Sequence, residues 1–397
     1  MELYQRKYIG THVERSIRIK MKAEELMTYL TQQLNTDYFS GVPDSLLKPF
    51  ISEIMTKYGV SEKHMIAANE GNALALAAGH HLATGGIPCV YMQNSGQGNM
   101  LNPFASLMAP EVYRMPCVFI VGWRGEPGVK DEPQHVFQGE ITKTLMELLK
   151  IETLVLDKES SLEELMEEKD RLKKILAEGR CIAFIIRKGA LISSSKVSYS
   201  NEFKLLREDI IEEIVKVAGE DPIISTTGKA SRELFEIREK RGESHQYDFL
   251  TVGSMGHASG IALEVALNKK ESKVWCIDGD GAVLMHMGSM AVIGANAPNN
   301  LIHVLINNEA HETVGGMPTV SPRIDFPKVA EGCGYTKVYQ VSALEELRQI
   351  LQEVKASREL SFIEIKASLG AREDLGRPTT TAEENKCNFM EYLKTLS

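Results

Sequence analysis

Short apolar, β-branched runs alternate with longer helical patterns along this chain of 397 residues, and the alternation occurs in two series. Such alternation predicts parallel sheets covered by helices on both faces, because a parallel strand needs a crossover helix before the next strand. Between the two series, residues 189–202 (GALISSSKVSYSNE) are rich in serine and show little periodicity. We therefore expect an α/β protein of two doubly wound parallel-sheet domains, joined by a linker and with no middle domain.

The domain boundaries follow from this change of texture, at roughly 100–200 residues per domain. We predict an N-terminal arm over residues 1–21, a first domain over 22–188, a linker over 189–202 and a second domain over 203–397. The predicted strands are 89–93, 117–122, 153–156, 181–187, 222–225, 249–251, 273–277, 301–306 and 360–366. The predicted helices are 22–34, 70–84, 139–149, 161–178, 207–218, 229–241, 258–267 and 288–296.

Charge and composition argue against several classes of function. The chain has 45 basic and 54 acidic residues, a net charge of -9 that is poorly suited to binding nucleic acid phosphates. No apolar run approaches the roughly 20 residues needed to span a bilayer, and the first residues lack the apolar stretch of a secretory signal. We therefore expect a cytoplasmic protein without membrane contact. The six cysteines are scattered without a C-x-x-C pair, which favours buried thiols over disulfides or zinc.

Small and polar residues follow two neighbouring predicted strands of the second domain. Segment 274–281 (VWCIDGDG) places Gly279, Asp280 and Gly281 at the end of one strand, and Asn308 follows the next strand. Ligands of open α/β sheets bind at these carboxyl ends. The glycines allow close approach of a diphosphate, and Asp280 and Asn308 offer the oxygen ligands that Mg²⁺ prefers beside phosphates. Neither an ATP-binding P-loop motif nor a dinucleotide-binding G-x-G-x-x-G motif occurs.

These two segments together resemble the cofactor motif of the thiamine-diphosphate enzymes related to pyruvate decarboxylase. The resemblance implies that Asp280, Asn308 and the backbone carbonyl of Ala310 bind Mg²⁺, which holds the diphosphate of thiamine diphosphate. It also implies that Met255 is the bulky apolar residue that bends the two cofactor rings into a V. The residues implied to contact the cofactor are Thr227, Gly228, Ser254, Met255, Gly279, Asp280, Gly281, Ala282 and Asn308.

A second segment, 66–79 (IAANEGNALALAAG), is similar to the one that carries the catalytic glutamate of this family. The resemblance implies that Glu70 binds the aminopyrimidine ring of the cofactor and is catalytic. Judged from the residues alone, an acid in the first turn of a helix also has a purely structural use, since it favours the helix dipole. In the family, each site lies between the pyrimidine-binding domain of one subunit and the diphosphate-binding domain of another. The resemblance therefore implies a homodimer or a larger homo-oligomer.

The short form of the chain narrows the resemblance. Most members have a further domain between the two, whereas this chain is similar to the two-domain phosphonopyruvate and sulfopyruvate decarboxylases over about residues 22–370. The stretches that carry this similarity are 39–49 (FSGVPDSLLKP), 93–99 (QNSGQGN), 122–135 (GWRGEPGVKDEPQH), 225–232 (STTGKASR) and 308–316 (NEAHETVGG). The implied reaction is the decarboxylation of phosphonopyruvate to phosphonoacetaldehyde and CO₂ in phosphonate biosynthesis, with thiamine diphosphate and Mg²⁺.

A substrate that carries a carboxylate and a phosphonate needs cations inside this acidic protein. Arg124, Lys130 and His135 lie in one glycine- and proline-rich segment that we predict to be a loop. The guanidinium of Arg124 can bind a phosphonate bidentately, and Lys130 can act as a point charge. Asn94 is expected to contact the substrate as well. The candidates for proton transfer, whose pKa a closed pocket can move towards neutrality, are Asp44, His135 and His311.

Three alternatives stay open. A sulfopyruvate decarboxylase differs only in the tetrahedral anion of its substrate. A carboligating synthase would usually need the missing middle domain and often a flavin. A non-catalytic thiamine-diphosphate-binding subunit would tend to lose Glu70 or the metal motif. The chain also departs from the family at Glu309, where glycine is common, and at Met317, where glutamine is common, so Glu309 bears on how the substrate site is tuned.

Overall fold

The computed structural model describes residues 20–193, 195, 197–314 and 316–397. Residues 1–19, most of the predicted arm, lie outside this part of the chain. Within it, two six-stranded sheets are each built from parallel strands and flanked by helices. The predicted class of two parallel-sheet α/β units is confirmed.

The N-terminal sheet has six strands. Its strands are β1 (Thr36–Gly41), β2 (His64–Ile66), β3 (Ile87–Gln93), β4 (Val118–Gly122), β5 (Glu152–Leu156) and β6 (Ile182–Ile186). The associated helices are α1 (Ala23–Thr28), α2 (Lys48–Tyr58), α3 (Glu70–Thr84), α4 (Gln97–Pro103), α5 (Pro133–Leu148) and α6 (Leu162–Ala177). The strand order is β2-β1-β3-β4-β6-β5, and each neighbouring pair is parallel.

The C-terminal sheet repeats this plan. Its strands are β7 (Ile223–Ser225), β8 (Asp248–Leu250), β9 (Val274–Gly279), β10 (Leu301–Asn307), β13 (Lys337–Val341) and β14 (Ser361–Lys366), and the hairpin strands β11 (Ala310–His311) and β12 (Met317–Pro318) lie outside it. The helices are α7 (Arg207–Ala218), α8 (Lys229–Arg241), α9 (Ala258–Asn268), α10 (Asp280–Met285), α11 (Gly288–Asn296), α12 (Phe326–Cys333), α13 (Leu344–Ala356) and α14 (Ala382–Thr395). Numbered within its own sheet, each set of strands has the same spatial order, 2-1-3-4-6-5.

The apolar runs of the sequence are continuous because the strands are buried on both faces. In β4, Val118 and Ile120 enter one apolar cluster, and Phe119 and Val121 enter the cluster on the opposite face. In β9, the aromatic ring of Trp275 faces a different cluster from Cys276 for the same reason. Each sheet therefore has a core on both sides, which is the arrangement that parallel sheets require.

The strand order determines where in the C-terminal sheet a ligand is expected to bind. In the C-terminal sheet, the chain passes from β7 to β8 in one direction and returns to β9 on the other side of β7. This reversal between β7 and β9 is the switch point of the sheet, where the loops after the two strands diverge and leave a crevice. The segments that follow β7, β9 and β10 therefore meet at one edge.

Within the predicted linker, Ile192 is hydrogen bonded to the first domain. The backbone N–H of Ile192 donates to the carbonyl of Met21 (3.1 Å), and the N–H of Ala23 donates to the carbonyl of Ile192 (2.8 Å). None of the helices in the described residues is both long and apolar enough to cross a bilayer. The cytoplasmic location stays a prediction.

Candidate active site

A cleft opens at the switch point of the C-terminal sheet. The predicted cofactor, metal and acid–base residues that line it are Thr227, Met255, Gly279, Asp280, Gly281, Ala282, Asn308, Ala310 and His311. Gly228 is the N-cap residue of α8 next to Thr227, and Ser254 precedes Met255 with a positive φ of 55°. Within the described part of the chain, every residue that lines this cleft belongs to the C-terminal half.

Asp280 begins α10 immediately after β9 and is only 2% exposed. Its Oδ2 accepts hydrogen bonds from Thr319 Oγ1 (2.6 Å) and Ser321 Oγ (2.7 Å). Burial raises the pKa of Asp280 to about 6, which these hydrogen bonds only partly offset. A buried carboxylate whose side-chain hydrogen-bond donors are uncharged hydroxyls is stabilised by a bound cation. The residue therefore fits the predicted metal ligand.

Asn308 and Ala310 supply further oxygen atoms next to β10. The Oδ1 of Asn308 accepts a hydrogen bond from the N–H of Ala310 (3.2 Å), which leaves a second lone pair on that oxygen. Ala310 lies opposite Pro318 in the hairpin, and proline has no N–H to donate to the Ala310 carbonyl. Together with Asp280 these groups form the kind of oxygen donor set that Mg²⁺ takes. The residues present therefore fit Mg²⁺.

His311 packs directly against the glycine-containing turn. A Cβ added at Gly281 would lie 3.1 Å from the His311 ring and 3.2 Å from Cε of Met255, so the three residues are in close contact. Burial lowers the pKa of His311 to about 4, and its Nδ1 has no hydrogen-bond partner among the described residues. The imidazole is therefore neutral at pH 7, and burial disfavours its protonation.

Buried polar side chains next to β9 contact the turn that contains Gly279 and Gly281. Asp278 Oδ1 accepts a hydrogen bond from the N–H of Gly279 (3.0 Å), and its Oδ2 lies 3.6 Å from Nε2 of His303. His303 Nδ1 is hydrogen bonded to the hydroxyl of Tyr335 (3.0 Å). The thiol of Cys276 lies within 4.8 Å of the Asp278 and His303 side-chain atoms. Sequence reasoning interpreted Cys276 as a plain apolar core residue and did not single out its two polar neighbours.

Of the two departures from the family pattern, Glu309 lies just before the hairpin and Met317 lies in its second strand, β12. Glu309 has a φ of 61°, a left-handed conformation that favours glycine, and its Oε2 accepts a hydrogen bond from the Tyr199 hydroxyl (2.8 Å). Asn201 Nδ2 donates to the carbonyl of Asn308 (2.9 Å), so the segment 189–202 contacts two successive residues of the metal loop. Met317 is 1% exposed and packs in the apolar core of the N-terminal half. An apolar residue is used there for packing between the halves.

A second group of predicted residues lies at the edge of the N-terminal sheet. Asn94, which follows β3, donates through Nδ2 to the carbonyl of Arg124 (2.8 Å) and to Thr142 Oγ1 (2.8 Å). Its Oδ1 accepts a hydrogen bond from the N–H of Arg124 (3.1 Å). In the structure the Asn94 amide thus supports the segment that carries Arg124, and its contact with substrate stays a prediction.

Arg124 is already paired through its guanidinium fork. Nε donates to Asp131 Oδ2 (2.8 Å) and Nη2 to Asp131 Oδ1 (2.5 Å), whereas Nη1 reaches Ser45 Oγ (3.2 Å). The backbone N–H groups of Gly125 and Glu132 also donate to Asp131 (both 2.8 Å). These bonds outweigh burial and hold the pKa of Asp131 well below its usual range. Asp131 therefore occupies the guanidinium fork that we predict to bind a phosphonate, and the Nη1 edge, which contacts Ser45, lies outside that pairing. The contact of Arg124 with substrate stays a prediction.

Burial shifts the pKa of two titratable groups near Arg124. Asp44 is fully buried, its Oδ1 has no hydrogen-bond partner among the described residues, and burial raises its pKa to about 6, partly offset by Arg124. His135 is buried, its Nδ1 has no partner in the described part of the chain, and burial followed by the nearby charge of Arg124 lowers its pKa. His135 lies in the first turn of α5, not in a loop, because Pro133 starts that helix at its N1 position. Lys130 is exposed and makes no hydrogen bond or ion pair with the described residues.

Glu70 opens α3 and is 5% exposed. Asn99 Nδ2 donates to its Oε2 (2.8 Å), while burial raises the pKa of Glu70. Gly96 is packed so closely that a Cβ there would lie 2.3 Å from Glu70 Oε1. The preceding Asn69 donates through Nδ2 to the carbonyl of Met285 at the end of α10 (3.0 Å). Glu70 nevertheless does not line the cleft that contains Asp280.

Three polar residues of the cleft were missed by sequence reasoning. Arg207, Lys229 and Glu312 line it, and all three are linked by ion pairs. They lie far apart along the chain, since more than 80 positions separate Lys229 from Glu312 and Arg207 is more distant still. In the sequence each of them resembles an ordinary surface charge. A partial signal was the spacing of four residues between Asn308 and Glu312.

Comparisons with known proteins agree with this geometry. Residues 21–147 match the family described as thiamine pyrophosphate enzyme, N-terminal TPP binding domain, and residues 226–365 match its C-terminal TPP binding domain. The phosphonopyruvate decarboxylase of Streptomyces viridochromogenes is 34% identical over 392 residues, covering 94% of this chain and 95% of its own. The sulfopyruvate decarboxylase of Methanosarcina acetivorans is 27% identical over 397 residues, covering 93% and 97%.

Separate subunits of a relative match smaller parts of the chain. The beta and alpha subunits of sulfopyruvate decarboxylase from Methanothermobacter thermautotrophicus are each 38% identical to it. They cover 34% and 22% of this chain, and 69% and 51% of their own lengths. With the full-length similarity, the two matched domains and the oxygen-lined cleft, this chain belongs to the thiamine-pyrophosphate-dependent decarboxylases, in the family of the phosphonopyruvate decarboxylases.

Proposed function

We propose that the protein decarboxylates 3-phosphonopyruvate to phosphonoacetaldehyde and CO₂ and that the product enters phosphonate biosynthesis. The observation that carries the proposal is the group around Arg124, where a fixed cation lies near two buried titratable groups, Asp44, whose pKa burial raises to about 6, and His135, whose pKa burial lowers. An anionic 2-keto acid needs both a cation for binding and a proton source. The higher identity to a phosphonopyruvate decarboxylase than to a single-chain sulfopyruvate decarboxylase supports the phosphonate.

The cofactor would be thiamine diphosphate with Mg²⁺. Asp280, Asn308 and the carbonyl of Ala310 would hold the metal, Thr227 and Gly228 the diphosphate at the start of α8, and Met255 the bent rings. When bound, thiamine diphosphate supplies the electron sink that lets a 2-keto acid lose CO₂. The backbone N–H groups at the start of α8 suit a diphosphate, because the N-terminus of a helix attracts anions.

The chain's own residues orient the substrate and move protons. The Nη1 edge of Arg124, with the hydroxyl of Ser45, would attract the phosphonate, and Asp131 holds that edge in place. Asp44, with a pKa of about 6, retains its proton in a fraction of molecules at neutral pH and can donate it to the product carbon. Glu70 would hold a proton against the cofactor's aminopyrimidine nitrogen, which burial of its carboxyl favours.

The complete site would form between two subunits. Glu70, Asp44 and Arg124 lie in the N-terminal half, whereas the described residues that line the metal cleft all come from the C-terminal half. A homodimer or larger homo-oligomer would bring one set to the other in trans. This supports the oligomer implied by the sequence resemblance.

CO₂ release from phosphonopyruvate, sulfopyruvate and pyruvate, with thiamine diphosphate and Mg²⁺ added, tests the proposal. We expect the highest kcat/KM with phosphonopyruvate, and a higher value with sulfopyruvate would replace it with the alternative substrate. Glu70→Gln should lose at least 100-fold in kcat while it still binds the cofactor, and Glu167→Gln on the exposed face of α6 should not. Release from none of the three acids would favour a non-catalytic cofactor-binding subunit.

A further inference from the structure

Glu312 lies at the centre of a charge network in the wall of the cleft. Its Oε1 accepts a hydrogen bond from Lys229 Nζ (2.6 Å), and its Oε2 accepts hydrogen bonds from Arg207 Nη1 (2.8 Å) and Asn308 Nδ2 (2.9 Å). The side chain is 11% exposed. It is the residue that connects the two cations of the cleft to the metal loop.

The position of Glu312 is set by two helices that also line the cleft. Arg207 begins α7 and is bound bidentately by Glu233 of α8, through Nε (2.7 Å) and Nη2 (2.9 Å). Lys229 is the first residue of α8. Two helices therefore hold the carboxylate of Glu312 through side chains that are themselves fixed or partly buried.

This carboxylate orients the side-chain amide of Asn308. A carboxylate that is paired with two cations accepts hydrogen bonds and donates none, so only the NH₂ group of Asn308 can bind it. The Oδ1 atom is then turned to the other side, where it also accepts from the N–H of Ala310. Without Glu312, the hydrogen bond from the Ala310 N–H (3.2 Å) would be the one contact left among the described residues that distinguishes the oxygen of this amide from its nitrogen.

We propose that Glu312 is a positioning residue that orients Asn308 so that its oxygen, and not its NH₂ group, faces the metal ion. The inference rests on the proposed function, because it assumes that Asp280, Asn308 and Ala310 hold a divalent cation. Glu312 itself touches neither the cation nor the substrate in this arrangement. It acts through Asn308, with Arg207 and Lys229 as its anchors.

Binding of Mn²⁺ in the presence of saturating thiamine diphosphate, followed by the loss of the free Mn²⁺ electron paramagnetic resonance signal, tests this role without turnover. Partners that orient metal ligands typically contribute about 10–100-fold to metal affinity. Glu312→Gln should therefore raise the Kd for Mn²⁺ by about that factor, because its own amide can turn either end towards Asn308.

The matched control is Glu213→Gln. Glu213 also pairs with one lysine and one arginine, Lys216 (3.0 Å) and Arg348 (3.1 Å), but it lies in α7, and among the described residues it makes no hydrogen bond to the metal loop. It should change the Kd less than threefold. An unchanged Kd in Glu312→Gln, or an equal loss in Glu213→Gln, would overturn the positioning role.

A rescue experiment gives a second test that does not depend on a loss of affinity in Glu312→Gln alone. Asn308→Asp places two carboxylates against each other, and the added Glu312→Gln supplies an NH₂ donor to the new carboxylate. The double variant should therefore bind Mn²⁺ at least tenfold more tightly than Asn308→Asp alone, and failure of this rescue contradicts the inference. If the unaltered protein binds no Mn²⁺ with thiamine diphosphate, the proposed cofactor site itself fails; normal binding with no effect of Glu312 sinks only the positioning role.

Discussion

Replacing Asp44 with asparagine should stabilise the folded protein above pH 6 while it lowers turnover. The buried carboxyl has a pKa of about 6 in the folded protein, against about 3.9 for an exposed aspartate. At about 1.4 kcal/mol per pKa unit, ionising it in the folded state costs about 3 kcal/mol. The proton is bound more tightly in the folded state, so the stability due to this group is complete below about pH 3.9 and is lost as the pH rises through 6.

The pH dependence isolates this cost from other effects of the substitution. An unfolded aspartate is mostly ionised at pH 5, so about half of the 3 kcal/mol has been lost there, and about 1.4 kcal/mol more should be lost between pH 5 and pH 8. The difference in unfolding free energy between Asp44→Asn and the unaltered protein should grow by that amount. The cost of burying an amide does not depend on pH and cancels in this comparison.

Urea unfolding of the N-terminal domain at pH 5, 6, 7 and 8 gives the required values. Asp170→Asn is the control, since the Asp170 side chain is 89% exposed and its replacement should give a flat difference. The rate of CO₂ release in the same buffers shows whether kcat falls in Asp44→Asn and not in the control. Parallel stability curves for Asp44→Asn and the unaltered protein would refute the conclusion that burial keeps Asp44 protonated near neutral pH.

Two further predictions concern close packing and backbone strain. Gly96→Ala should lower kcat at least tenfold, because its Cβ would displace Glu70, whereas Gly98→Ala, with no atom within 4 Å of its Cβ, should stay within twofold in the same CO₂ assay. Glu309→Gly should change the unfolding free energy by less than about 1 kcal/mol, since relief of the left-handed φ offsets the lost hydrogen bond to Tyr199. Tyr199→Phe should cost about 1 kcal/mol only when Glu309 is present, and additive effects in a double-mutant cycle would contradict this.

Local signals predicted much of the fold. Helix α3 begins and ends at the predicted residues because Asn69 caps its N-terminus and Gly85 ends it in a left-handed conformation. Helix α8 also begins and ends at the predicted residues, between Gly228 and Gly242, and Gly242 ends it in the same left-handed conformation. Helix α14 was missed although Thr381 and Glu384 form a capping box that the sequence displays.

Tertiary context accounts for other features that were not predicted. Strand β1 (TDYFSG) has few large apolar residues, and it is a strand because β2 and β3 pair with both of its edges. Asp280 and Asn308 were predictable because each lies at the end of an apolar strand. Their partners were not, because Thr319 comes from a hairpin and Arg207 from the start of a distant helix, and no local pattern connects them to the metal loop.

The repeated strand order has a consequence for how the gene can be arranged. Each half has its own apolar core on both faces of its sheet, and the contacts between halves include the packing of Met317 and the hydrogen bond from Asn69 to Met285, which two separate chains can also make. A break between residues 189 and 198 would leave Tyr199 and Asn201 attached to the half whose metal loop they contact. Two polypeptides expressed from separate reading frames should then reassociate into one working enzyme.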